Sequence, residues 1–598
     1  MNHKYLGELR MKIFLSAALA LLFISLTSTG QTKPEPEVDL LWGQKITMRD
    51  GIKLNATVYK PKLMQAPLPV IFTLTPYIGD SYHPRADYFA KNGYVFVLVD
   101  ARGRGSSEGK FDPMAQEAKD GYDTVEWLAK QPFCNGKVTM WGGSYAGYDQ
   151  WATLKEFPPH LKTIVPAAAV YPGLDFPMRA NIAYPYTMQW LTYTSGATGN
   201  TNLFGESSFW KAKALGIYLD GLPFNTLDKV VGNDSTVFQT FVQHPHRDAF
   251  WDHMVPTDAE YAKMDLPILT ITGHYDADQP GAMEFYKRLE KNSSAISRGN
   301  HYLIIGPYDH PGTRTPKREV GGLVFGEKSL IDMNKLHREW YDWTLKDGPR
   351  PEFLKKRIAY YVVGDGAEEW KYADSLETIS NEHRVFYLSS KEGRANDVFQ
   401  SGSLSLTKSS APQPDKYTYD PLDVRPAEID KVDTPNYLID QSQVFNLFGN
   451  GLIYHSEPFT EATEISGFLK FSAWLAMDVP DTDLEVDVYE VLPNGSSVNL
   501  TFDQMRARYR ESAYSEKLVK QGEINRYDFT GFTFFSRRIA KGSRLRLIIH
   551  CLNTFWQQKN YNSGGEVAAE SKKDARTAHV TLYHDADHPS SLEIPIVK

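Results

Sequence analysis

The chain has 598 residues, of which 42% are hydrophobic and 23% are charged. This balance is typical of a folded globular protein, and the length exceeds what one hydrophobic core supports, so we expect two or three domains. The formal net charge of −8 argues against a nucleic-acid partner and gives no signal for binding to a membrane surface.

The N-terminal segment predicts a signal peptide. Lys12 precedes a mostly apolar run from Ile13 to Ile24, and small polar residues follow as far as Gly30. A basic start, a short apolar core and a small-residue exit are typical of secretory signals, and the run is too short for a comfortable membrane span. We therefore assign residues 1–30 to a signal peptide and expect a secreted or periplasmic protein with no membrane attachment after its removal.

Residues 38–172 alternate between strand and helix patterns. An antiparallel opening pair is followed by short apolar, β-branched runs at Leu68–Leu74, Tyr94–Asp100, Val138–Trp141 and Thr163–Ala169, with helical segments at Asp87–Asn92, Glu117–Lys130 and Tyr148–Phe157. Such alternation predicts an α/β fold with a mostly parallel, doubly wound sheet, whose ligands bind at the carboxyl ends of the strands.

The pattern changes twice further along the chain. Residues 173–263 are rich in aromatic residues and helical in pattern, which predicts a cap inserted over the sheet; an ordinary helical subdomain is the alternative. The α/β pattern returns in residues 264–354, with strands at Pro267–Gly273 and His301–Gly306. From 355 to 598 short alternating runs, among them Ile465–Ala473 and Tyr527–Ser536, predict an all-β sandwich of the jelly-roll type.

The most informative segment joins a predicted strand to a predicted helix. The run Val138–Trp141 is followed by Gly-Gly-Ser-Tyr-Ala-Gly, with Ser144 at its centre. Small residues on both sides suit a sharp strand-to-helix turn, which exposes the serine hydroxyl and leaves backbone N–H groups free to bind an oxyanion. The segment departs from the pattern G-x-S-x-G because Ala146 replaces the second glycine, and a plain Gly-Ser turn is the alternative.

A nucleophilic serine needs a base and a carboxylate that orients the base. The loop after the strand Pro267–Gly273 contains Asp276, and the loop after the strand His301–Gly306 contains His310. In doubly wound hydrolases the acid and the histidine follow the serine in this order, each just past a later strand. We therefore predict Ser144 as nucleophile, Asp276 as acid and His310 as base.

Each of these assignments has an alternative. Asp278 lies two residues beyond the predicted acid and is its rival. His274 and His301 are rivals for the base, although His301 lies at the start of a strand and His274 needs an acid from elsewhere. We expect Asp309 to be structural, because neighbouring side chains in a loop usually diverge.

These segments resemble the CocE/NonD hydrolases, a group that includes cocaine esterase, α-amino-acid ester hydrolases, glutaryl acylases and X-Pro dipeptidyl peptidases. The elbow, with tyrosine after the serine, is similar to the family pattern G-x-S-Y-x-G. Further similar stretches span most of the chain: Met48–Leu54, Thr75–Tyr77, Asp100–Gly109, Gly306–His310 and Arg506–Arg510. The resemblance implies an α/β-hydrolase domain with a helical cap and a C-terminal jelly roll. It also implies an oxyanion hole formed by the backbone N–H of Tyr145 and the hydroxyl of Tyr77.

The resemblance further implies a small ester or amide, or a short peptide, as substrate. In the α-amino-acid ester hydrolases a carboxylate cluster holds the substrate ammonium, and Asp149, Asp175 and Asp278 are the candidates here. Arg102 and Arg104 could pair with a substrate carboxylate, but ion pairs with Glu108 or Asp120 are the commoner use of such residues.

The sequence contains no motif for a metal, nucleotide or flavin, so we expect no cofactor. It also carries no signal for an oligomeric state, and it leaves open whether Cys134 and Cys551 form a disulfide. A rival interpretation from another class is an inactive hydrolase scaffold whose jelly roll binds carbohydrate or a surface.

Overall fold

The computed structural model describes residues 37–396, 399–409, 413–432, 434–442 and 448–598. The predicted signal peptide, residues 1–30, lies outside these ranges. Within them, no helix combines the length and apolar character that crossing a membrane requires.

The first part of the α/β domain alternates between strands and helices. Its strands are β1 (Val38–Thr47), β2 (Lys53–Pro61), β3 (Leu68–Thr75), β4 (Val95–Asp100), β5 (Cys134–Gly143) and β6 (Leu161–Ala167). Its helices are α1 (His83–Lys91), α2 (Glu117–Ala129) and α3 (Tyr145–Leu154). Helix α3 begins directly after Ser144 and thus earlier than the sequence pattern predicts.

The segment that follows is mostly helical. After the short strands β7 (Met178–Arg179) and β8 (Ile182–Ala183) come α4 (Tyr186–Tyr193), α5 (Thr201–Phe204), α6 (Ser207–Asp220), α7 (Leu227–Val231), α8 (Thr236–Gln243), α9 (Ala249–Asp252) and α10 (Asp258–Tyr261). Its aromatic side chains pack into the same apolar cluster as one face of the sheet; Trp190, Phe238 and Trp251 are examples. This segment is the helical cap.

The chain then returns to the α/β domain. The elements are β9 (Ile268–Tyr275), α11 (Gln279–Asn292), α12 (Ala295–Gly299), β10 (His301–Asp309), β11 (Glu319–Val320), β12 (Leu323–Val324), α13 (Met333–Lys346), β13 (Ile358–Val362) and β14 (Glu369–Ala373). A 3-10 turn, Pro311–Thr313, follows β10 directly.

Ten strands of the described chain form one sheet, in the order β1-β2-β4-β3-β5-β6-β9-β10-β13-β14. Neighbours from β4 to β13 are parallel, whereas β1, β2 and β14 pair antiparallel at the two edges. Successive side chains of β3 enter different apolar clusters, Phe72 one and Ile71 the other, because helices cover both faces. The carboxyl ends of β3, β5, β9 and β10 therefore meet at one edge of the sheet.

The C-terminal part is almost entirely β-structure. Its strands are β15 (Glu382–Ser389), β16 (Gly402–Ser405), β17 (Asp415–Tyr419), β18 (Gly451–Ser456), β19 (Thr463–Gly467), β20 (Lys470–Met477), β21 (Asp483–Val491), β22 (Ser497–Arg506), β23 (Asn525–Phe529), β24 (Phe535–Ile539), β25 (Arg544–Cys551), β26 (Ala578–Tyr583) and β27 (Ser591–Val597). A short α-helix, α14 (Ala427–Asp430), lies between β17 and β18. In the described residues these strands pair mainly antiparallel around a shared apolar core that includes Phe471, Val486 and Ile594. This is the jelly-roll sandwich.

The two domains are joined by polar and apolar contacts beside the functional edge of the sheet. The Gln279 side chain, at the start of α11, donates to the carbonyl of Phe534 and accepts from the N–H of the same residue, at 2.9 and 2.6 Å. Phe534 packs into a cluster with residues of β10 and β13. Cys134 and Cys551 are both buried and free, so no disulfide links the domains.

Candidate functional site

Ser144 lies at the sharp turn between β5 and α3, in a backbone conformation that few non-glycine residues adopt, with φ 62° and ψ −127°. Its N–H donates to the carbonyl of Ala167 at 2.9 Å, which ties the turn to β6. A Cβ at Gly142 would lie only 2.6 Å from the Cβ of Ala146. The close approach explains why small residues flank the serine on both sides.

The segment after β10 reaches across to this turn. A Cβ at Gly143 would lie 2.6 Å from Cδ of Arg314, which is four residues beyond His310. The Arg314 backbone is held in turn by Arg85, whose guanidinium donates to its carbonyl at 2.7 Å. The loop that carries His310 is thus packed against the residue that precedes Ser144.

His310 and Asp276 form a hydrogen-bonded pair, with Nδ1 2.8 Å from Oδ1. Asp276 is buried, and two further donors hold its carboxylate: the Thr272 hydroxyl donates to Oδ2 at 2.9 Å, and the N–H of Asp278 donates to Oδ1 at 3.1 Å. Because Nδ1 is engaged with the carboxylate, Nε2 is the ring nitrogen that remains to accept a proton.

A second carboxylate lies close to the same histidine. Oδ2 of Asp278 is 3.6 Å from Nδ1 of His310. Burial lowers the pKa of His310, but the charge of Asp278 and the hydrogen bond to Asp276 outweigh it, so the pKa is raised above its ordinary value. Burial raises the pKa of Asp278 to about 6, against the opposing pull of His310.

The alternative bases lie elsewhere in the α/β domain. His274 is buried, and burial lowers the pKa of its imidazole to about 3. His301 is buried at the opposite end of β10, with Nε2 3.1 Å from the Thr270 hydroxyl. Asp309 accepts the N–H of Gly312 at 2.8 Å and so stabilises the turn after the strand.

Tyr77 follows the end of β3 on the same edge of the sheet. Its hydroxyl accepts a hydrogen bond from Nε1–H of Trp190 at 3.0 Å and interacts with the side chain of Ser144. Burial raises its pKa well above the ordinary value, so the group is a neutral O–H donor at physiological pH. The hydroxyl of Tyr145 points away, accepting from the N–H of Met114 and donating to Glu117.

The three candidate substrate carboxylates occupy different environments. Asp149 lies inside α3 with no exposed surface, and burial raises its pKa well above the ordinary value. Asp175 is buried and accepts the N–H groups of Tyr171 and Gly281, at 2.7 and 2.6 Å. Burial raises the pKa of Asp175 strongly, and the charge of Asp278 raises it further. Only Asp278 combines partial exposure with contact to His310.

Both arginines of the glycine-rich loop have partners within the protein. Arg102 pairs with Asp120 and Asp50, each at 2.6 Å. Arg104 is buried and donates to the carbonyl of Pro76 at 2.8 Å, next to Tyr77. Their contacts support the loops around the site, as the ion-pair alternative predicts for Arg102.

Across the described ranges, one group of side chains could hold a metal ion: Glu485, Asp487 and His550 of the jelly roll. Nε2 of the histidine lies 3.3 Å from Asp487 and 3.6 Å from Glu485, and these two acidic neighbours raise the pKa of His550 despite its burial. The two carboxylates therefore favour the protonated form of the imidazole.

The sheet order, the elbow after β5 and the residues after β9 and β10 define an α/β hydrolase with a helical cap and a C-terminal jelly roll. Residues 50–312 match the family model of the X-Pro dipeptidyl-peptidase (S15 family), and residues 355–593 match that of the X-Pro dipeptidyl-peptidase C-terminal non-catalytic domain. The chain belongs to the CocE/NonD family of hydrolases.

Individual relatives agree with this assignment over nearly the full length. The cocaine esterase of Rhodococcus sp. (strain MB1 Bresler) is 25% identical over 589 residues, which cover 92% of this chain and 98% of that protein. An α-amino acid ester hydrolase structure superposes with a TM-score of 0.80 at 20% identity, covering 95% of this chain and 100% of the other. A CocE/NonD family hydrolase from Staphylococcus aureus gives 0.66 at 18% identity, covering 94% of each chain. The structural likenesses show a shared fold.

Proposed function

We propose that the protein is a serine hydrolase that cleaves ester or amide bonds through an acyl-enzyme. The observation that carries this proposal is the convergence of three features on one edge of the sheet. They are a serine held at positive φ, a hydrogen-bonded Asp276–His310 pair on a loop packed against the serine turn, and a neutral tyrosine hydroxyl next to that serine.

In the proposed mechanism Ser144 Oγ attacks the substrate carbonyl while Nε2 of His310 takes its proton. Asp276 holds Nδ1–H and stabilises the imidazolium that forms. The N–H of Tyr145, at the start of α3, has no intrahelical acceptor and donates to the developing oxyanion together with the Tyr77 hydroxyl. His310 then protonates the leaving group, and water attacks the acyl-enzyme by the same proton path.

Among possible acyl groups, an α-aminoacyl group is favoured by the charge beside the base. Asp278 lies next to His310, and the charge of Asp278 raises the pKa of the buried Asp175, so the two carboxyl groups interact. Burial raises the pKa of Tyr184 in the cap; Arg179 opposes this, and the charges of Asp175 and Asp278 raise the pKa further, so this cap residue lies within electrostatic reach of both carboxyl groups. A substrate ammonium would neutralise these carboxylates at the point where the cap meets the sheet.

A second candidate within the same chemistry is an X-Pro dipeptidyl-peptidase-type exopeptidase, because both matched family models carry that description. Such a substrate also presents an ammonium group close to the scissile bond. A candidate of another class is an inactive scaffold that binds carbohydrate or a surface through the jelly roll.

We also propose that the protein is exported, on the basis of the residue pattern of segment 1–30. Expression of the full chain with N-terminal sequencing of the product tests this directly. A mature chain that begins near Gln31 supports export, and a retained N-terminus in an export-competent host contradicts it.

The first experiment compares the wild-type protein with Ser144→Ala, using a fluorophosphonate probe and a substrate panel. The panel contains an α-aminoacyl aryl ester, its des-amino analogue of the same size, and an Xaa-Pro anilide. Labelling and turnover that vanish in Ser144→Ala support the serine mechanism; full turnover in the variant contradicts it. A folded wild-type protein without labelling supports the inactive scaffold.

The substrate class is tested by Asp278→Asn on the matched esters. If the carboxylate binds the ammonium, kcat/KM falls more for the aminoacyl ester than for the des-amino ester. An equal loss for both esters contradicts the α-aminoacyl proposal and leaves the serine mechanism intact.

A further inference from the structure

One cap residue contacts side chains of both residues assigned to the proposed oxyanion hole. Trp190 on α4 is 4% exposed, and its Nε1–H donates to the Tyr77 hydroxyl at 3.0 Å. Its indole ring also stacks on the ring of Tyr145, with centroids 5.4 Å apart and planes 23° apart. The end of the same helix contributes Tyr193, which stacks on Tyr77 at 5.7 Å and 20°.

The hydrogen bond has a fixed direction, because an indole N–H can only donate. The Tyr77 oxygen therefore acts as acceptor towards Trp190, and its single proton must point to another acceptor. The side chain of Ser144 also interacts with this hydroxyl, and in the proposed mechanism the substrate oxyanion develops beside that serine. A hydroxyl that already accepts one hydrogen bond is also the stronger donor in the next.

We propose that Trp190 is a positioning residue that orients the Tyr77 hydroxyl proton towards the oxyanion, so that the cap completes the oxyanion hole. This inference rests on the proposed serine mechanism. Trp190 itself need not touch the reacting atoms; it acts through Tyr77. The free-energy advantage of the hydrogen bond is thus realised only while Tyr77 has its hydroxyl group.

The test is a double-mutant cycle of Trp190→Phe and Tyr77→Phe on a small acetyl ester, whose acyl group limits direct contact with the indole. Loss of one net hydrogen bond predicts a fall in kcat of about fivefold to tenfold for Trp190→Phe, with KM nearly unchanged. Loss of an oxyanion donor predicts a fall of about 10²–10³ for Tyr77→Phe. In the double variant we expect no further loss beyond that of Tyr77→Phe.

The inference is overturned if Trp190→Phe lowers kcat as much in the Tyr77→Phe background as in the wild-type protein. It is also overturned if Trp190→Phe alone leaves kcat unchanged. If Trp190→Phe does not fold, 3-benzothienylalanine at position 190 keeps the bicyclic ring and removes only the N–H donor. Ser144→Ala distinguishes failure of the serine mechanism from failure of the Trp190 inference. Full activity of Ser144→Ala refutes the serine mechanism. If Ser144→Ala is inactive but the effects of Trp190→Phe and Tyr77→Phe are additive, only the role of Trp190 is refuted.

Discussion

Replacing Asp276 with asparagine removes the charge that faces His310 but preserves the shape of the side chain. In the wild-type protein, Oδ1 of Asp276 accepts hydrogen bonds from both Asp278 N–H and His310 Nδ1–H. Oδ2 accepts one from the Thr272 hydroxyl only. An asparagine satisfies this arrangement when its carbonyl occupies the Oδ1 position and its amide donates to Thr272, whose hydroxyl can rotate to accept. We therefore expect Asp276→Asn to retain the productive tautomer of His310.

The predicted loss is then that of the charge alone. Opposite charges about 4 Å apart interact by about 4 kcal/mol at an effective dielectric constant of 20, which corresponds to about 10³ in rate. The carboxylate of Asp278, 3.6 Å from the same ring nitrogen, compensates for part of this loss. We expect kcat to fall by about 10²–10³, less than the roughly 10⁴ seen in a serine protease triad when asparagine imposes the wrong tautomer.

The assay is steady-state hydrolysis of a chromogenic ester, with thermal unfolding to verify the fold and fluorophosphonate labelling to follow the reactivity of Ser144. Asp278→Asn serves as the matched variant, and the double variant should lose more than the product of the two single losses. A loss in Asp276→Asn as complete as that in Ser144→Ala refutes the retained tautomer. Unchanged activity refutes Asp276 as the orienting acid.

Three other expectations follow from the geometry. Gly142→Ala should lower the free energy of unfolding by roughly 2–4 kcal/mol in urea titrations, because the added Cβ lies 2.6 Å from the Cβ of Ala146 and the residue has a φ of 153°. Gly299→Ala, where the added Cβ meets open space, should leave the free energy of unfolding almost unchanged. His310 must be neutral to act as the proposed base, and its pKa is raised above 6.5, so kcat/KM should fall as the pH drops through that raised pKa. Asp278→Asn should move this acid limb of the pH profile to lower pH. A limb that does not move contradicts the influence of the Asp278 charge on His310. Arg506→Met, which breaks a fully buried ion pair, should destabilise the protein by about 3–5 kcal/mol on thermal or urea unfolding, and a loss below 1 kcal/mol contradicts this view of the pair.

The fold class was predictable because its signals are local. Strands that are buried on both faces appear in the sequence as continuous apolar runs. The small residues around Ser144 indicate the sharp turn that precedes α3 in the chain. Local sequence patterns do not predict strand boundaries where the backbone conformation interrupts a strand. The predicted run Ile465–Ala473 contains two strands, β19 and β20, because the chain breaks after Gly467, whose φ is 142°. The run Tyr527–Ser536 is likewise divided between β23 and β24.

The arrangement of the candidate site was predictable only in part. Asp276 and His310 follow from strand order, since parallel strands bring their carboxyl ends together. The hydrogen bond from Trp190 to Tyr77 joins residues 113 positions apart, and nothing in the spacing of aromatic residues distinguishes Trp190 from its neighbours in the cap. Thr272, whose hydroxyl donates to Asp276, carries no motif of its own. Such partners emerge only when the cap and the sheet are packed together.

The packing of Arg314 against Gly143 has a consequence for how such a protein can diverge. The loop of His310 rests on the turn of Ser144 through a contact that lies within the α/β domain and includes no residue of the cap. We therefore expect insertions and substitutions in the cap to leave this contact intact. If Trp190 positions Tyr77 as we propose, a replacement cap must still place a hydrogen-bond donor beside the Tyr77 hydroxyl, where the indole of Trp190 now lies.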